Sequence, residues 1–200
     1  MNTRRFVLGI TGGIATGKSS VIQELVRHRI PTVSSDDIAH TCLRRGHPVY
    51  RKVRAHFGPK VLGSEGEINR KRVGEIVFSD PKERKWLERQ IHPWVIRQLK
   101  SFIRKHRGLT ALDIPLLYEA GLDKLVDAVV VVWSSRGAQI ARLKRRDGML
   151  KAAALRRIRA QLPLAIKRKR ADFVLLNDGT RTALRAQVRH LVEQLRDKIA

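Results

Sequence analysis

Short runs of apolar residues alternate along this chain with longer segments whose apolar residues recur at helical spacing. The runs at 6–10, 31–34, 109–114, 128–133 and 173–176 predict five buried strands. The run at 128–133 contains four consecutive valines, which is typical of a central parallel strand covered by helices on both faces. The order of the elements predicts an α/β fold in which a five-stranded parallel sheet lies between two layers of helices.

Helical periodicity predicts helices at 18–28, from Asp36 to Cys42, at 139–146, over much of 150–169 and at about 182–199. The stretch from about 47 to 106 differs, because it is helical, highly charged and interrupted by glycines. One of its helices is predicted to begin at Pro81, since Asp80 can cap it and proline suits the first helical position.

The dipeptide His92-Pro93 is predicted to end that helix and to start another, which reaches about residue 106. We interpret 47–106 as a helical insertion within a single domain that spans residues 1–200.

The composition of the chain argues against several classes of protein. No apolar run approaches the roughly 18 residues of a membrane span, and the first residues do not form a cleavable apolar segment. We therefore expect a cytoplasmic protein without a membrane partner. Cys42 is the only cysteine, which excludes an internal disulfide and a zinc site built from several thiolates.

The net charge of +24 indicates acidic partners such as nucleotides, coenzymes or nucleic acid. Residues 141–170 contain twelve lysines and arginines and one acidic residue, Asp147, a net charge of +11. A solvated basic face would produce the same run. Aromatic residues, which stack on bases, make up 5% of the chain, and this argues against nucleic acid as a partner.

A phosphate-binding loop follows the first predicted strand. Gly12 to Ser19 match the pattern G-x-x-x-x-G-K-[ST], whose glycines let successive N–H groups turn toward an anion at a helix N-terminus. In a P-loop NTPase fold the lysine reaches the β- and γ-phosphates of ATP, and the hydroxyl ligates Mg²⁺. Here these are Lys18 and Ser19. The predicted ATP-binding residues of this segment are Gly12, Gly13, Ile14, Ala15, Thr16, Gly17, Lys18, Ser19 and Ser20.

Other residues bear on whether the chain is a kinase or a GTPase switch. The base-reading sequence N-K-x-D of GTPases does not occur. Asp36 follows the second predicted strand, at the sheet edge where ligands gather, and could act on an acceptor hydroxyl or cap a helix. Arg142, Arg145 and Arg146 precede Gly148 and suit a lid, predicted at about 142–160, that closes over phosphates.

These residues resemble the dephospho-coenzyme A kinase family along nearly the whole chain. The matching blocks are Leu8-Gly-Ile-Thr-Gly-Gly-Ile14, Gly17-Lys18-Ser19, Asp36-Asp-Ile-Ala39, Gly46, His56-Phe-Gly58, Ile91-His92-Pro93, Pro115-Leu-Leu-Tyr-Glu119, Gln139 with Arg142 and Arg146, Arg159-Ala-Gln161, Ala171-Asp172 and Asn177-Asp-Gly179.

The resemblance implies transfer of a phosphoryl group from ATP with Mg²⁺ to the ribose 3′-hydroxyl of dephospho-coenzyme A. It implies that Asp36 is the general base and that Arg142 and Arg146 act on ATP and the transferring phosphate. It also implies that the segment 47–106 binds the coenzyme. The remaining implied contacts are Asn177 and Gly179 with the adenine of ATP, and His92, Pro115 and Leu116 with dephospho-coenzyme A.

The sequence departs from the family pattern at three positions. Ser34 replaces the first aspartate of an Asp-x-Asp pattern, Ala15 replaces a glycine of the loop, and Trp133 ends a strand where a small or acidic residue is more usual. Asp113 could supply a carboxylate near Mg²⁺, or simply be a hydrogen-bonded residue at a strand end. The alternatives are a P-loop kinase with another acceptor and a nucleic-acid-associated ATPase.

Overall fold

The computed structural model describes residues 4–199. The chain divides into two compact units, one formed by the residues up to Ser34 together with those from Ile103 onward, and the other by Ser35–Phe102. The first contains the sheet and the second is helical. The predicted boundaries of the insertion and of the lid remain predictions.

The sheet has five strands, and every neighbouring pair is parallel. They are β1 (Phe6–Gly12), β2 (Thr32–Ser34), β3 (Leu109–Asp113), β4 (Ala128–Trp133) and β5 (Phe173–Leu176), in the spatial order β2-β3-β1-β4-β5. This confirms the predicted fold class. Because β1 lies at the centre, the segment after it has a strand end on each side.

Nine α-helices lie within the described residues 4–199. They are α1 (Lys18–Arg27), α2 (Ser35–Cys42), α3 (Pro48–Phe57), α4 (Arg70–Ser79), α5 (Pro81–Lys105), α6 (Arg136–Asp147), α7 (Lys151–Arg159), α8 (Leu164–Lys169) and α9 (Arg181–Ile199). In this part of the chain no helix is long and apolar enough to cross a membrane.

The sheet is buried on both faces. Val130 and Val132 of β4 pack in one core cluster with residues of α1 and α9, such as Leu25 and Leu191. The alternate residue Val131 points to the opposite face and is also fully buried. The run of valines therefore forms a covered parallel strand, as its sequence predicted.

The helical unit has its own core, in which Val53, Val61 and Val73 are buried. The prediction that His92-Pro93 ends a helix is wrong, because α5 continues from Pro81 to Lys105 with Pro93 inside it. Ile91 and Trp94, on either side of the proline, both pack against this core. Their burial outweighs the loss of one N–H donor, so packing overrides the local preference.

Substitution of Pro93 tests this explanation. An interior proline costs about 3 kcal/mol relative to alanine, and its restriction of the unfolded chain returns up to about 1 kcal/mol. We expect Pro93→Ala to raise the free energy of unfolding of the helical unit by about 2 kcal/mol. Urea denaturation followed by tryptophan fluorescence measures it.

Pro81→Ala is the matched control, because Pro81 occupies the first position of the same helix, where proline is well tolerated. That variant should gain no stability. An unchanged or lower stability of Pro93→Ala would show that the unit depends on the proline.

Candidate active site

The predicted phosphate loop connects the end of β1 at Gly12 to the start of α1 at Lys18. It is folded as a tight turn in which Thr16 N donates to Gly13 O at 3.2 Å. The φ angles of Ala15 (59°) and Gly17 (91°) are positive, in the left-handed region. The loop thus leads into the N-terminus of a ten-residue helix, whose first N–H groups have no partner within the helix.

Donors from two distant segments hold the carbonyl oxygens of this loop. Arg142 Nη1 on α6 donates to Ala15 O and Thr16 O, both at 3.2 Å. Asn177 Nδ2, just after β5, donates to Thr16 O at 2.7 Å, and Arg142 Nη2 donates to Asn177 O. Arg142 and Asn177 therefore brace the loop and each other.

This brace explains why residue 17 is glycine. A Cβ atom on Gly17 would collide with the side-chain amide of Asn177, and its positive φ angle is unfavourable for other residues. Asn177 can approach the loop this closely only because residue 17 has no side chain.

Asp178 is connected to Arg142 through Ser134. Its carboxylate accepts from Ser134 Oγ at 2.7 Å and from Ser135 N at 3.0 Å, and Ser134 Oγ accepts from Arg142 Nη1 at 3.1 Å. Desolvation alone would raise the pKa of Asp178. The hydrogen bonds from Ser134 and Ser135 and the positive charge of Arg142 outweigh it, so that the pKa lies below its usual value.

Lys18 Nζ forms an ion pair with Asp113 Oδ1 at the end of the neighbouring strand β3. Both side chains are largely buried, with exposed fractions of 17% and 15%. Asp113 is therefore a hydrogen-bonded residue at a strand end, and it also brings a carboxylate to the lysine of the loop.

The oxygen donors in this region fit a magnesium ion held mainly by phosphates. Ser19 follows Lys18, and its side chain is exposed at the start of α1. Within residues 4–199 no group of three or more His, Cys, Asp or Glu residues could hold a metal ion alone. Mg²⁺ commonly binds one or two protein oxygens together with oxygens of the substrate phosphates. Ser19 and Asp113 could supply the protein oxygens.

A cleft of about 340 Å³ runs beside the loop and is lined by Gly13, Trp133, Arg136, Arg159 and Gln161, among others. Gln161 Oε1 accepts from the N–H of Ile14 at 2.7 Å. Sequence reasoning assigned no role to Gln161. Its place in the family block Arg159-Ala-Gln161 was the available signal.

The other predicted site residues are distributed over both units. Arg146 is exposed and bonds its neighbour Asp147, at 2.8 Å and 2.9 Å, and this contact lowers the pKa of Asp147. Pro115 and Leu116 follow β3, and Pro115 O accepts from Thr11 Oγ1 at 2.9 Å. Gly179 is exposed in the loop after β5.

The remaining two residues, Asp36 and His92, belong to the helical unit. The helix α2 begins at Ser35, so Asp36 lies within its first turn and not at the capping position. A carboxylate in the first turn interacts favourably with the helix dipole. His92 is exposed on α5.

Comparison with known proteins identifies the family. A family model described as dephospho-CoA kinase matches residues 6–183. The dephospho-CoA kinase of Geobacillus kaustophilus is 41% identical over 191 residues, which cover 94% of this chain and 95% of the relative. The chain belongs to the dephospho-CoA kinase family. A further member, from Thermosynechococcus vestitus, is 43% identical over 188 residues, covering 93% of each chain.

Solved structures agree with this assignment. A crystal structure from Thermus thermophilus has a TM-score of 0.84 and 32% identity, and the match covers 96% of this chain and 98% of that one. A dephospho-CoA kinase from Campylobacter jejuni has a TM-score of 0.71 and 27% identity, with the same coverage. Shikimate kinase from Bacteroides thetaiotaomicron, at a TM-score of 0.51 and 12% identity, shares the fold.

The lowered pKa of Asp178 gives a pH-dependent prediction. A depressed carboxyl pKa stabilises the folded state above the unfolded value of about 4, and this contribution is lost as the pH falls through the folded pKa. We therefore expect the wild type to be more stable than Asp178→Asn near neutral pH, with the difference shrinking below about pH 4.

Urea denaturation of the two proteins across this pH range measures the difference between their free energies of unfolding. Groups that titrate alike in both proteins do not contribute to this difference. A difference that stays the same from neutral to acidic pH would contradict the role of the Asp178 charge.

Proposed function

We propose that this protein transfers the γ-phosphoryl group of ATP to the ribose 3′-hydroxyl of dephospho-CoA, giving CoA and ADP. The observation that carries the proposal is identity above 40% with dephospho-CoA kinases over more than nine tenths of both chains. The braced phosphate loop supports it, because such a loop binds the phosphates of a nucleotide.

ATP would bind with its phosphates against N–H groups of the phosphate loop and of the first residues of α1. The ammonium group of Lys18 would exchange its contact with Asp113 for the β- and γ-phosphates, where it offsets charge in the transition state. The loop after β5, with Asn177 and Gly179, would lie against the adenine. Arg142, which already holds this loop to the phosphate loop, would keep the two binding segments in register.

Mg²⁺ would be held by the Ser19 hydroxyl and by the phosphates, with Asp113 nearby. When bound, the ion supplies positive charge that offsets charge on the phosphate oxygens. Ser34 replaces a family aspartate, so Asp113 would be the carboxylate that remains for this purpose on the unit containing the loop.

In the transfer step the acceptor 3′-oxygen forms a bond to the γ-phosphorus while the bond to the β,γ-bridging oxygen breaks. The acceptor hydroxyl proton passes to the Asp36 carboxylate, and the electron pair of the broken bond stays on ADP. Arg146 belongs to the predicted lid and would leave Asp147 to contact the transferring phosphoryl group. His92, Pro115 and Leu116 are assigned to dephospho-CoA.

A coupled ADP-release assay tests the acceptor, with dephospho-CoA, adenosine, AMP and shikimate offered in parallel. We expect ADP release that depends on dephospho-CoA and a product phosphorylated at the ribose 3′ position. Lys18→Ala should abolish this activity while remaining folded, because its charge is worth several kcal/mol in the transition state. Equal activity with AMP or shikimate would assign the protein to another class of kinase.

The role of Asp36 is tested by Asp36→Asn. The amide keeps the size of the side chain but cannot accept the proton, so turnover should fall at least about a hundredfold. The KM for ATP should not change, and the melting temperature should change little, because asparagine keeps the size of the side chain and one hydrogen-bond acceptor oxygen.

Asp37→Asn is the matched control, because Asp37 lies in the same helical turn. It should keep wild-type turnover with a similar small loss of stability. If Asp36→Asn lost stability but kept its turnover, Asp36 would serve the helix and not the reaction.

A further inference from the structure

The N–H group of Ile14 does not bond within the phosphate loop but donates to the side chain of Gln161, at 2.7 Å. Gln161 lies 147 residues further along the chain, in the turn between α7 and α8. It directly follows the segment predicted as the lid. The geometry of the loop at Ile14 thus depends on where this turn is held.

Two backbone N–H groups, those of Gln161 and Leu162, hold the turn in place. Gln161 N donates to Ile158 O at the end of α7, at 3.4 Å. Leu162 N donates to Glu119 Oε1 at 3.0 Å, which attaches the turn to the segment that follows β3. The Gln161 side chain therefore extends from a backbone that is tied at adjacent residues.

Lys167 on α8 provides a second anchor. Its side chain is fully buried, and its Nζ lies 2.8 Å from Glu119 Oε1, 3.0 Å from Pro115 O and 3.4 Å from Gly12 O. A buried ammonium group is stable only where such partners surround it, so its position is strongly constrained. Gly12 O belongs to the first residue of the phosphate loop.

The segment 161–167 therefore holds the beginning of the phosphate loop at two points of opposite polarity. Lys167 donates to the carbonyl of Gly12, and Gln161 accepts from the N–H of Ile14. Arg142 and Asn177 hold the carbonyls of Ala15 and Thr16, further along the same loop. The first half of the loop thus depends on the turn after α7, and the second half depends on α6 and the loop after β5.

We propose that Gln161 is a positioning residue for ATP, which keeps the first half of the phosphate loop in its nucleotide-binding conformation through the Ile14 N–H. The proposal rests on the proposed function. Because Gln161 adjoins the predicted lid, it also provides a direct connection between the lid and the loop. Its effect is specific to the nucleotide, since the contact is to the loop.

Gln161→Met tests the proposal, because methionine has a similar length but its thioether sulfur is only a weak hydrogen-bond acceptor. We expect faster hydrogen exchange at the Ile14 amide, measured by NMR. The dissociation constant for ADP with Mg²⁺ and the KM for ATP should rise about threefold to tenfold, as expected for one hydrogen bond. The KM for dephospho-CoA and the melting temperature should stay close to the wild-type values.

Gln161→Glu is the conservative rescue, because a carboxylate oxygen can still accept from Ile14 N–H. Its readout is the exchange of the Ile14 amide, which should be as slow as in the wild type, since the added charge would itself repel phosphates. Gln194→Met controls for the substitution, because Gln194 is exposed on α9.

The proposal is overturned if Gln161→Met leaves either the Ile14 exchange or the affinity for ADP unchanged. It is also overturned if both KM values rise together with a fall in melting temperature, which would indicate a general structural role. The ADP measurement needs no acceptor. If the wild type bound ADP but did not phosphorylate dephospho-CoA, only the proposed acceptor would be wrong.

Discussion

A loop that turns its N–H groups toward an anion turns its carbonyl oxygens away from it, and these oxygens need donors of their own. In this protein the donors come from Arg142, Asn177 and Lys167, each more than a hundred residues from the loop in sequence. The glycines permit the turn, but the donors keep it in place. Much of the surrounding structure can be understood as the means of bringing these three side chains to one loop.

The strand order accomplishes this. Since β1 lies between β3 and β4, the residues after both neighbouring strands meet the loop at the carboxyl edge of the sheet. The β3 side contributes Asp113, which pairs with Lys18. The β4 side contributes Ser134 and, from the second turn of α6, Arg142. The edge strand β5 adds Asn177. On one side of β1 the sheet therefore positions a carboxylate, Asp113, for Lys18. On the other side it positions the donors Arg142 and Asn177 for the carbonyl oxygens of the loop.

The strands, the phosphate loop and most helices could be predicted, because they depend on patterns within short segments. The left-handed backbone at Ala15 agrees with the expectation that glycine is more usual there. What could not be predicted depends on contacts distant in sequence. Nothing in the sequence near Gln161 indicates that its side chain binds Ile14. The prediction at Pro93 was wrong because the packing of Ile91 and Trp94 against the core of the helical unit cannot be recognised from the neighbouring sequence.

The basic run at 141–170 shows why net charge is a poor guide to phosphate binding. Arg142 and Lys167 are committed to backbone carbonyls of the loop, and Lys167 also pairs with Glu119. Arg146 and Arg170 pair with Asp147 and Asp123. Part of this charge is thus paired with carboxylates and backbone carbonyls of the protein itself. If the loop binds ATP as proposed, a side chain behind it contributes by holding the N–H groups in place, and its removal would weaken binding through geometry more than through lost Coulomb attraction. Position in the fold, which composition does not report, therefore decides what each of these cations does.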